Sequence, residues 1–292
     1  MAFSPLTFFT TGGETTPISK HPKKSGVIRV PHLRTVALSD LHLGRVTTHA
    51  HSPEIIAPLV EGFERVLLLG DIVDHWYTSA QQAVDFEGRI RDVCKAAGAR
   101  DVVYFRGNHD ACKEDGEEFA LLDGVLYLHG HAVYNNLKGD GCPKTRIQAM
   151  NEKKYGPHRQ DSRSRHVVWK IIDKMYGRIP MAMMLPIKWP LPVVRRIKAL
   201  ADEISPEGAI RGVVLGHSHR PGVRHYKGIA MFNLGGWMKN TRAYGFIHHG
   251  PSVKLVHIDM RSDRMKWGKV LHESELGERA ASATKMHAMH AQ

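Results

Sequence analysis

Five short stretches of the chain carry side chains that bind metal ions in proteins, and each stretch follows a run of apolar residues. Aspartate and asparagine supply oxygen donors, and histidine supplies nitrogen donors. Gly216, before the last pair of histidines, allows the backbone to bend sharply. One histidine pair means little among the 20 histidines of this chain, but five such stretches in order indicate a common site. They are Ser39-Asp40-Leu41-His42, Gly70-Asp71-Ile72-Val73-Asp74, Gly107-Asn108-His109-Asp110, His129-Gly130-His131 and Gly216-His217-Ser218-His219-Arg220-Pro221.

These donors suffice for two metal ions, because Asp71 can bridge the ions with its two carboxylate oxygens. The set contains no thiolate, and its mixture of carboxylate, amide and imidazole favours Mn²⁺ or Fe²⁺, while Zn²⁺ is also compatible. Two ions about 3.5–4 Å apart suit in-line displacement at phosphorus, because they hold the phosphoryl oxygens and generate hydroxide near neutral pH. We expect a two-metal centre, with Mn²⁺ as the first choice, whose ligands are Asp40, His42, Asp71, Asn108, His129, His217 and His219.

Three further residues in these stretches are candidates for catalysis. His109 follows the ligand Asn108 and is not needed as a ligand itself, which suits a general acid that protonates the leaving alkoxide. Asp110 is placed to orient the imidazole of His109. Asp74 is placed to bind the far ring nitrogen of a metal-ligating histidine.

The five stretches need strands to position them, and the pattern predicts strands that alternate with helices. Each strand ends where a stretch begins, and the carboxyl edge of an open α/β sheet is where ligands bind. The sheet should be parallel or mixed, with helices on its faces. The predicted strands are residues 35–38, 65–69, 102–105, 125–128 and 212–215, and the predicted helices begin at Ser52-Pro53 or cover residues 82–97 and 114–122.

The spacing changes after His131. His129 and His217 are 88 residues apart, which predicts an insertion at residues 134–208. Residues 131–208 contain 15 Lys/Arg and 7 Asp/Glu, a net charge of +8. Residues 179–192 combine methionines with four prolines, a composition that suits an adaptable apolar surface beside anionic headgroups. The segment 160–198 either contacts a membrane or packs as a helical hairpin on the main domain, and both interpretations stay open.

Four short apolar runs follow Pro221 at hairpin spacing, and they predict a second, antiparallel sheet packed on the first. The chain beyond about residue 262 is polar, which predicts a helix or a frayed tail. We therefore divide the chain into an N-terminal arm, 1–33, a catalytic domain, 34–260, and a C-terminal tail, 261–292.

The composition of the chain indicates a folded protein, the charge of its partner and its location in the cell. The chain has 292 residues, of which 42% are hydrophobic and 24% charged, and these values are typical of a folded protein. Its formal charge of +12 predicts an anionic partner. Three cysteines without a C-x-x-C pair favour a reducing, cytoplasmic location. The N-terminus does not resemble a signal peptide, and no apolar run reaches the length of about 18 residues that a spanning helix needs.

The five stretches resemble the motifs of the calcineurin-like metallophosphoesterase superfamily, D-x-H, G-D-x-x-D, G-N-H-[DE], H-G and G-H-x-H, over roughly residues 34–260. Three details are similar to the UDP-2,3-diacylglucosamine diphosphatase branch of lipid A biosynthesis. They are Ser39-Asp40-Leu41-His42-Leu43-Gly44, the run from Gly70 to His75-Trp76, and Asn233-Leu234-Gly235-Gly236-Trp237. Two positions differ from that branch: His109 stands where arginine is common, and His131 where aspartate often follows H-G.

The resemblance implies a two-sheet α/β/β/α sandwich in which the insertion at residues 134–208 is a helical lid that receives acyl chains. It also implies one metal ion on Asp40, His42, Asp71 and His219 and a second on Asp71, Asn108, His129 and His217. The expected reaction is attack of metal-bound hydroxide on a phosphoester or diphosphate, with a lipid-linked nucleotide sugar as the first choice of substrate and the inner face of the cell membrane as a peripheral location. We expect substrate contacts from Arg106, Arg220, Trp76 and Asn233.

Two alternatives remain at this stage. One is a general phosphodiesterase or nuclease of the same superfamily, although the sequence lacks the interleaved basic and aromatic residues that single-stranded nucleic acid requires. The other is a metal-stabilised scaffold without turnover, which would not need His109 beside the ions.

Overall fold

The described strands form two mixed sheets. The computed structural model describes residues 32–110, 116–135, 141–155, 189–260 and 265–276. The strands are β1 (Thr35–Leu38), β2 (Arg65–Leu68), β3 (Asp101–Tyr104), β4 (Phe119–Leu122), β5 (Val125–Leu128), β6 (Gly212–Leu215), β7 (Gly222–Tyr226), β8 (Ile229–Asn233), β9 (Tyr244–His249), β10 (Ser252–Asp259) and β11 (Lys266–Glu275). The first sheet has the order β11-β10-β9-β1-β2-β3, and the second has the order β4-β5-β6-β8-β7.

Five helices accompany the sheets within the described part of the chain. A 3₁₀ turn (Pro53–Ile56) leads into α1 (Ala57–Val60), and α2 (Ala80–Ala96) begins with a capping box between Ser79 and Gln82. Two of the three predicted helices, the one that begins at Ser52-Pro53 and the one over 82–97, are therefore confirmed. The others are α3 (His131–Tyr134), α4 (Pro143–Tyr155) and α5 (Leu191–Ile204).

Alternation along the strands builds three apolar layers. Ala37 and Val214 point into a core between the two sheets, which also contains Phe232 and Phe246. Their neighbours in sequence point outward, where α1 and α2 cover the first sheet and α5 covers the second. The layers confirm the predicted α/β/β/α sandwich.

Three predictions of secondary structure are wrong. Residues 119–122 form β4 and not a helix, because Asp123 and Gly124 both have positive φ (50° and 78°) and close a tight hairpin to β5. The four runs after Pro221 do not form one antiparallel sheet: β7 and β8 join the second sheet, while β9 and β10 join the first. Residues 266–275 are neither helix nor frayed tail but the edge strand β11, which pairs with β10. Lys254 and Glu273 form an ion pair across these two strands at 2.7 Å.

The insertion contributes α4 and α5, while the helical stretch predicted at 166–176 and most of the Met- and Pro-rich run lie outside the described residues, as does most of the predicted arm, 1–31. Trp189 and the α5 residues Val193, Val194 and Ile197 are buried against the second sheet. In the described part of the chain, each helix is too short or too polar to cross a bilayer.

Candidate metal centre

Loops from both sheets meet at the site. Asp40, Asp71 and Asn108 follow β1, β2 and β3 of the first sheet, and His129 and His217 follow β5 and β6 of the second. Backbone hydrogen bonds tie the loops together: the amide of Asp40 donates to Gly70 O at 3.1 Å, and the amide of His42 donates to Asp71 O at 2.9 Å. The side chains therefore converge from the carboxyl ends of strands in two different sheets.

The first group of donor atoms consists of Asp40, His42 and His219. His219 Nε2 lies 3.1 Å from both His42 Nε2 and Asp40 Oδ1. His42 Nε2 lies 3.8 Å from Asp71 Oδ2, so Asp71 also borders this group.

The second group consists of Asp71, His129 and His217. His129 Nε2 lies 3.4 Å from Asp71 Oδ2 and 3.2 Å from Asn108 Oδ1. The rings of His129 and His217 are 5.3 Å apart. Asp71 thus lies between the two groups. The same oxygen, Oδ2, faces His42 and His129, whereas the prediction had one carboxylate oxygen for each ion, and Oδ1 instead accepts a hydrogen bond from the amide of His109.

Hydrogen bonds fix the ring nitrogens of two histidines so that the donor set fits metal ions. His42 Nδ1 donates to Asp74 Oδ2 at 3.0 Å, and His129 Nδ1 donates to the carbonyl oxygen of Leu69 at 2.8 Å. A histidine binds a metal ion in its neutral form, and in that form each Nε2 turns a lone pair toward the carboxylates. Burial lowers the pKa of His42 to about 4, although its hydrogen bond to Asp74 acts in the opposite direction, so this ring is neutral at pH 7.

The carboxylates of the site attract positive charge. Burial lowers the pKa of His129, but Asp71 and Asp40 outweigh this effect and raise it to about 10. Burial raises the pKa of Asp71, but His129 and His109 hold it well below its usual value. Two buried carboxylates surrounded by imidazoles are a suitable set for divalent cations.

Asp74 holds His109. Asp74 Oδ1 accepts a hydrogen bond from His109 Nδ1 at 2.9 Å, while its other oxygen contacts His42, and the Trp76 ring packs on His109 at 4.1 Å. Burial lowers the pKa of His109, but Asp74 and Asp71 raise it above the ordinary value of a histidine. His42, Asp71 and His109 also form a third group of converging donor atoms, so the geometry alone also admits His109 as a ligand.

Asp110 has a different position from the one that the sequence suggested. Its carboxylate accepts hydrogen bonds from the amides of Gly107 at 2.5 Å and Ile72 at 3.0 Å and from the Tyr104 hydroxyl at 3.1 Å. It therefore fixes the loop beneath the site, and the contact that orients His109 comes from Asp74.

The four residues expected to bind substrate differ in their surroundings. Trp76 packs on His109, and Arg220 is buried near Tyr134 and the His217 loop. Arg106 Nη1 contacts the buried carboxylate of Glu118 at 3.3 Å. Asn233 is fully buried, donates to Gly216 O at 2.6 Å and accepts from the amide of Gly235 at 3.0 Å, so its described contacts brace the His217 loop.

Sequence reasoning missed two residues close to these groups. The Tyr134 ring lies 5.2 Å from the His217 ring, and Arg45 Nη1 lies 3.7 Å from Asp74 Oδ2. Arg45 directly follows the run Ser39-Asp40-Leu41-His42-Leu43-Gly44, a proximity that could have been noted. Tyr134 is placed by α3, and no motif indicated it.

The backbone of the site is strained. Asp40, His42, Asp71, His217 and His219 all have φ between 51° and 64°, a left-handed conformation that side chains with a Cβ rarely adopt. Gly216 is required for a different reason from the predicted bend: a methyl group there would collide with the Asp40 carboxylate and the Ser39 hydroxyl. The carboxylate packs so closely because it accepts hydrogen bonds from the amide of His217.

The fold and the paired Asp/His groups define a metal-dependent hydrolase. A family model described as calcineurin-like phosphoesterase matches residues 33–221, and the chain belongs to this family. It is therefore a metal-dependent phosphoesterase with a dinuclear divalent metal site and a phosphorylated substrate, and the scaffold alternative is set aside.

Similar proteins include two from Neisseria meningitidis named UDP-2,3-diacylglucosamine hydrolase. The serogroup C, serotype 2a protein is 26% identical over 230 residues, which cover 68% of this chain and 88% of that protein. The serogroup A protein is 25% identical over 229 residues, with the same coverage of both chains. Solved structures that resemble this chain include a dimetal phosphatase from Danio rerio (10% identity, 82% of this chain and 99% of that chain, TM-score 0.45) and Vacuolar Protein Sorting 29 from Cryptosporidium parvum (13% identity, 83% and 99%, TM-score 0.41).

Proposed function

We propose that this phosphoesterase hydrolyses the diphosphate of a UDP-2,3-diacylglucosamine-like lipid. Water adds at a phosphorus atom, the bridging P–O bond breaks, and the products are UMP and an acylated sugar 1-phosphate. The observation that carries this choice of substrate is the similarity to proteins named UDP-2,3-diacylglucosamine hydrolase, which extends over 88% of their length.

The proposed metal ligands are the seven side chains predicted from the sequence. Asp40, His42 and His219 would hold one ion and Asn108, His129 and His217 the other, with Asp71 shared. Mn²⁺ is the preferred ion for this set, and Fe²⁺ or Zn²⁺ are compatible with it. When bound, the two ions supply positive charge to the phosphoryl oxygens and activate water.

His109 is the proposed general acid. Its Nδ1 proton is held by Asp74, so its Nε2 is the atom that gives a proton to the leaving oxygen. The Trp76 ring restricts the imidazole to this orientation. Asp74 also accepts a hydrogen bond from His42, so one carboxylate orients both the proposed proton donor and a proposed metal ligand.

The insertion is the proposed site for the acyl chains. Its net charge of +8 supports an anionic lipid, and we propose that the segment 160–198, apart from Trp189 and the buried face of α5, contacts the inner face of the cell membrane from the cytoplasm. The apolar face of α5 is buried against the second sheet, so it contributes to the main domain and not to that contact.

The substrate is tested by product analysis. With Mn²⁺ and detergent-dispersed UDP-2,3-diacylglucosamine, we expect stoichiometric release of UMP, measured by chromatography. The matched control substrate is UDP-N-acetylglucosamine, which has the same diphosphate and lacks the long acyl chains. We expect its kcat/KM to be lower by at least about 100-fold, because the binding energy of the acyl chains is missing.

The competing activity on nucleic acid is measured with the same preparation. Cleavage of single-stranded DNA without release of UMP from the lipid would contradict the proposed substrate and favour a nuclease. Equal rates on the sugar nucleotides with and without long acyl chains would contradict a site for acyl chains.

A further inference from the structure

A chain of buried polar side chains links the insertion to the loop before Asn108. Asn151 lies on α4 and is 1% exposed. Its Nδ2 donates to Glu118 Oε2 at 3.0 Å, and its Oδ1 lies 2.6 Å from His131 Nε2. Glu118 in turn receives Arg106 Nη1 at 3.3 Å.

The chemistry of the groups fixes the direction of this chain. In its charged form the carboxylate of Glu118 only accepts hydrogen bonds, so the amide of Asn151 then turns its NH₂ end to Glu118. Its oxygen then faces His131, which must donate from Nε2. The order Arg106, Glu118, Asn151, His131 therefore has one consistent arrangement of donors and acceptors.

Asn151 also joins two segments that border the site. Arg106 follows β3 and lies two residues before Asn108, and its amide donates to Glu117 O at 2.9 Å. His131 begins α3, and its ring lies 5.3 Å from that of His129. A single amide from the insertion thus contacts His131 on the β5 side directly and reaches Arg106 on the β3 side through Glu118.

We propose that Asn151 is a positioning residue, which acts through Glu118 to set the direction of the Arg106 guanidinium toward the anionic phosphoryl group of the substrate. The inference rests on the proposed phosphoryl chemistry but not on the lipid. A guanidinium binds phosphate through a planar fork of N–H donors, so its direction decides how well the donors align. The role explains why a polar amide stands on the buried face of α4, where an apolar residue would pack without needing partners.

The test uses Asn151→Leu, which keeps the approximate shape and removes both hydrogen bonds. Burial raises the pKa of Glu118 to about 7, although Arg106 and Asn151 lower it, so the assay is run at pH about 8.5, where the carboxylate is charged. With bis(p-nitrophenyl) phosphate and Mn²⁺, we expect KM to rise roughly tenfold and kcat to change by less than about threefold. Metal content should match that of the wild type.

A double-mutant cycle separates positioning from a general structural role. Arg106→Met keeps the stem of the side chain and removes its charge. If Asn151 acts through Arg106, adding Asn151→Leu to Arg106→Met should change KM by less than about twofold. The control is Glu152→Ala, at the next position of α4, which is exposed and should leave both constants unchanged.

Glu118→Gln provides an independent variant in case Asn151→Leu does not fold. It should also raise KM in the wild-type background and have little effect beside Arg106→Met. An unchanged KM in these variants, or an equal effect with and without Arg106, would overturn the proposal. If the wild type itself hydrolyses no phosphoester, the proposed function fails, and that result is distinct from an active wild type with normal Asn151 and Glu118 variants.

Discussion

The His109→Ala variant should retain its metal ions and lose turnover by about 10²–10⁴-fold, the usual contribution of a positioned general acid. The physical reason is the contact of Nδ1 with Asp74 at 2.9 Å, which leaves Nε2 to protonate the leaving oxygen. The loss should be largest for substrates whose leaving group is a poor one. It should be smaller for bis(p-nitrophenyl) phosphate, because nitrophenolate leaves without a proton.

Two measurements check this expectation. One is metal content by mass spectrometry, and the other is kcat on a substrate with a poor leaving group and on bis(p-nitrophenyl) phosphate. His249→Ala is the control, because His249 is an exposed histidine at the end of β9 and should behave as the wild type. Loss of a metal ion from His109→Ala would show instead that His109 is a ligand, as its closeness to His42 and Asp71 allows.

The Asp71→Asn variant should lose its activity and more than about 100-fold in metal affinity. The loss should exceed that caused by mutating a residue that only hydrogen-bonds a metal ligand. Asp71 borders both groups of donor atoms, and a neutral amide cannot bridge two cations as a carboxylate does. The substitution preserves the shape and keeps an oxygen for the amide of His109, which donates to Asp71 Oδ1 at 2.7 Å.

Titration of the metal-free variant with Mn²⁺ measures this loss. Because His129 and His109 hold the pKa of Asp71 well below its usual value, the charged carboxylate stabilises the metal-free fold, so the midpoint of thermal unfolding of the metal-free variant should fall at neutral pH. Asp92→Ala, an exposed change on α2, is the matched control. Normal metal binding by Asp71→Asn would contradict the shared role of Asp71.

Much of the site could be predicted from the sequence because its donors follow apolar strands directly. In the fold, as in the sequence, a strand comes before each donor. The donors at these strand ends are Asp40, Asp71, Asn108, His129 and His217. The orientation of individual side chains could not be predicted in the same way. Asp74 and Asp110 are both close to His109 in sequence, and the backbone path alone decides that Asp74 reaches its ring while Asp110 turns beneath the loop.

The left-handed backbone conformation of the proposed ligand residues also could not be predicted from the sequence. Such a conformation costs roughly 1–2 kcal/mol per residue with a Cβ, so local preference argues against it. Interactions from neighbouring loops, such as the hydrogen bond from the amide of Asp40 to Gly70, stabilise it. Only the assembled fold contains those interactions.

The prediction that the strands after Pro221 form one sheet was wrong, and the reason is related. Hairpin spacing predicts which strands are neighbours but not which sheet each hairpin joins. The β9–β10 hairpin pairs with β1, far away in sequence, and β11 is too polar and exposed to show a clear alternation. By contrast, Asp123-Gly124 was a recognisable turn signal for the β4–β5 hairpin.

The most direct test of the two-metal account is the number of ions needed for activity. Metal-free wild-type protein is titrated with Mn²⁺ while hydrolysis of bis(p-nitrophenyl) phosphate and bound metal are followed together. We predict no measurable turnover without metal and full activity at two ions per chain. Turnover that survives complete chelation, or full activity with a single ion per chain, would contradict a centre built on both groups of donor atoms.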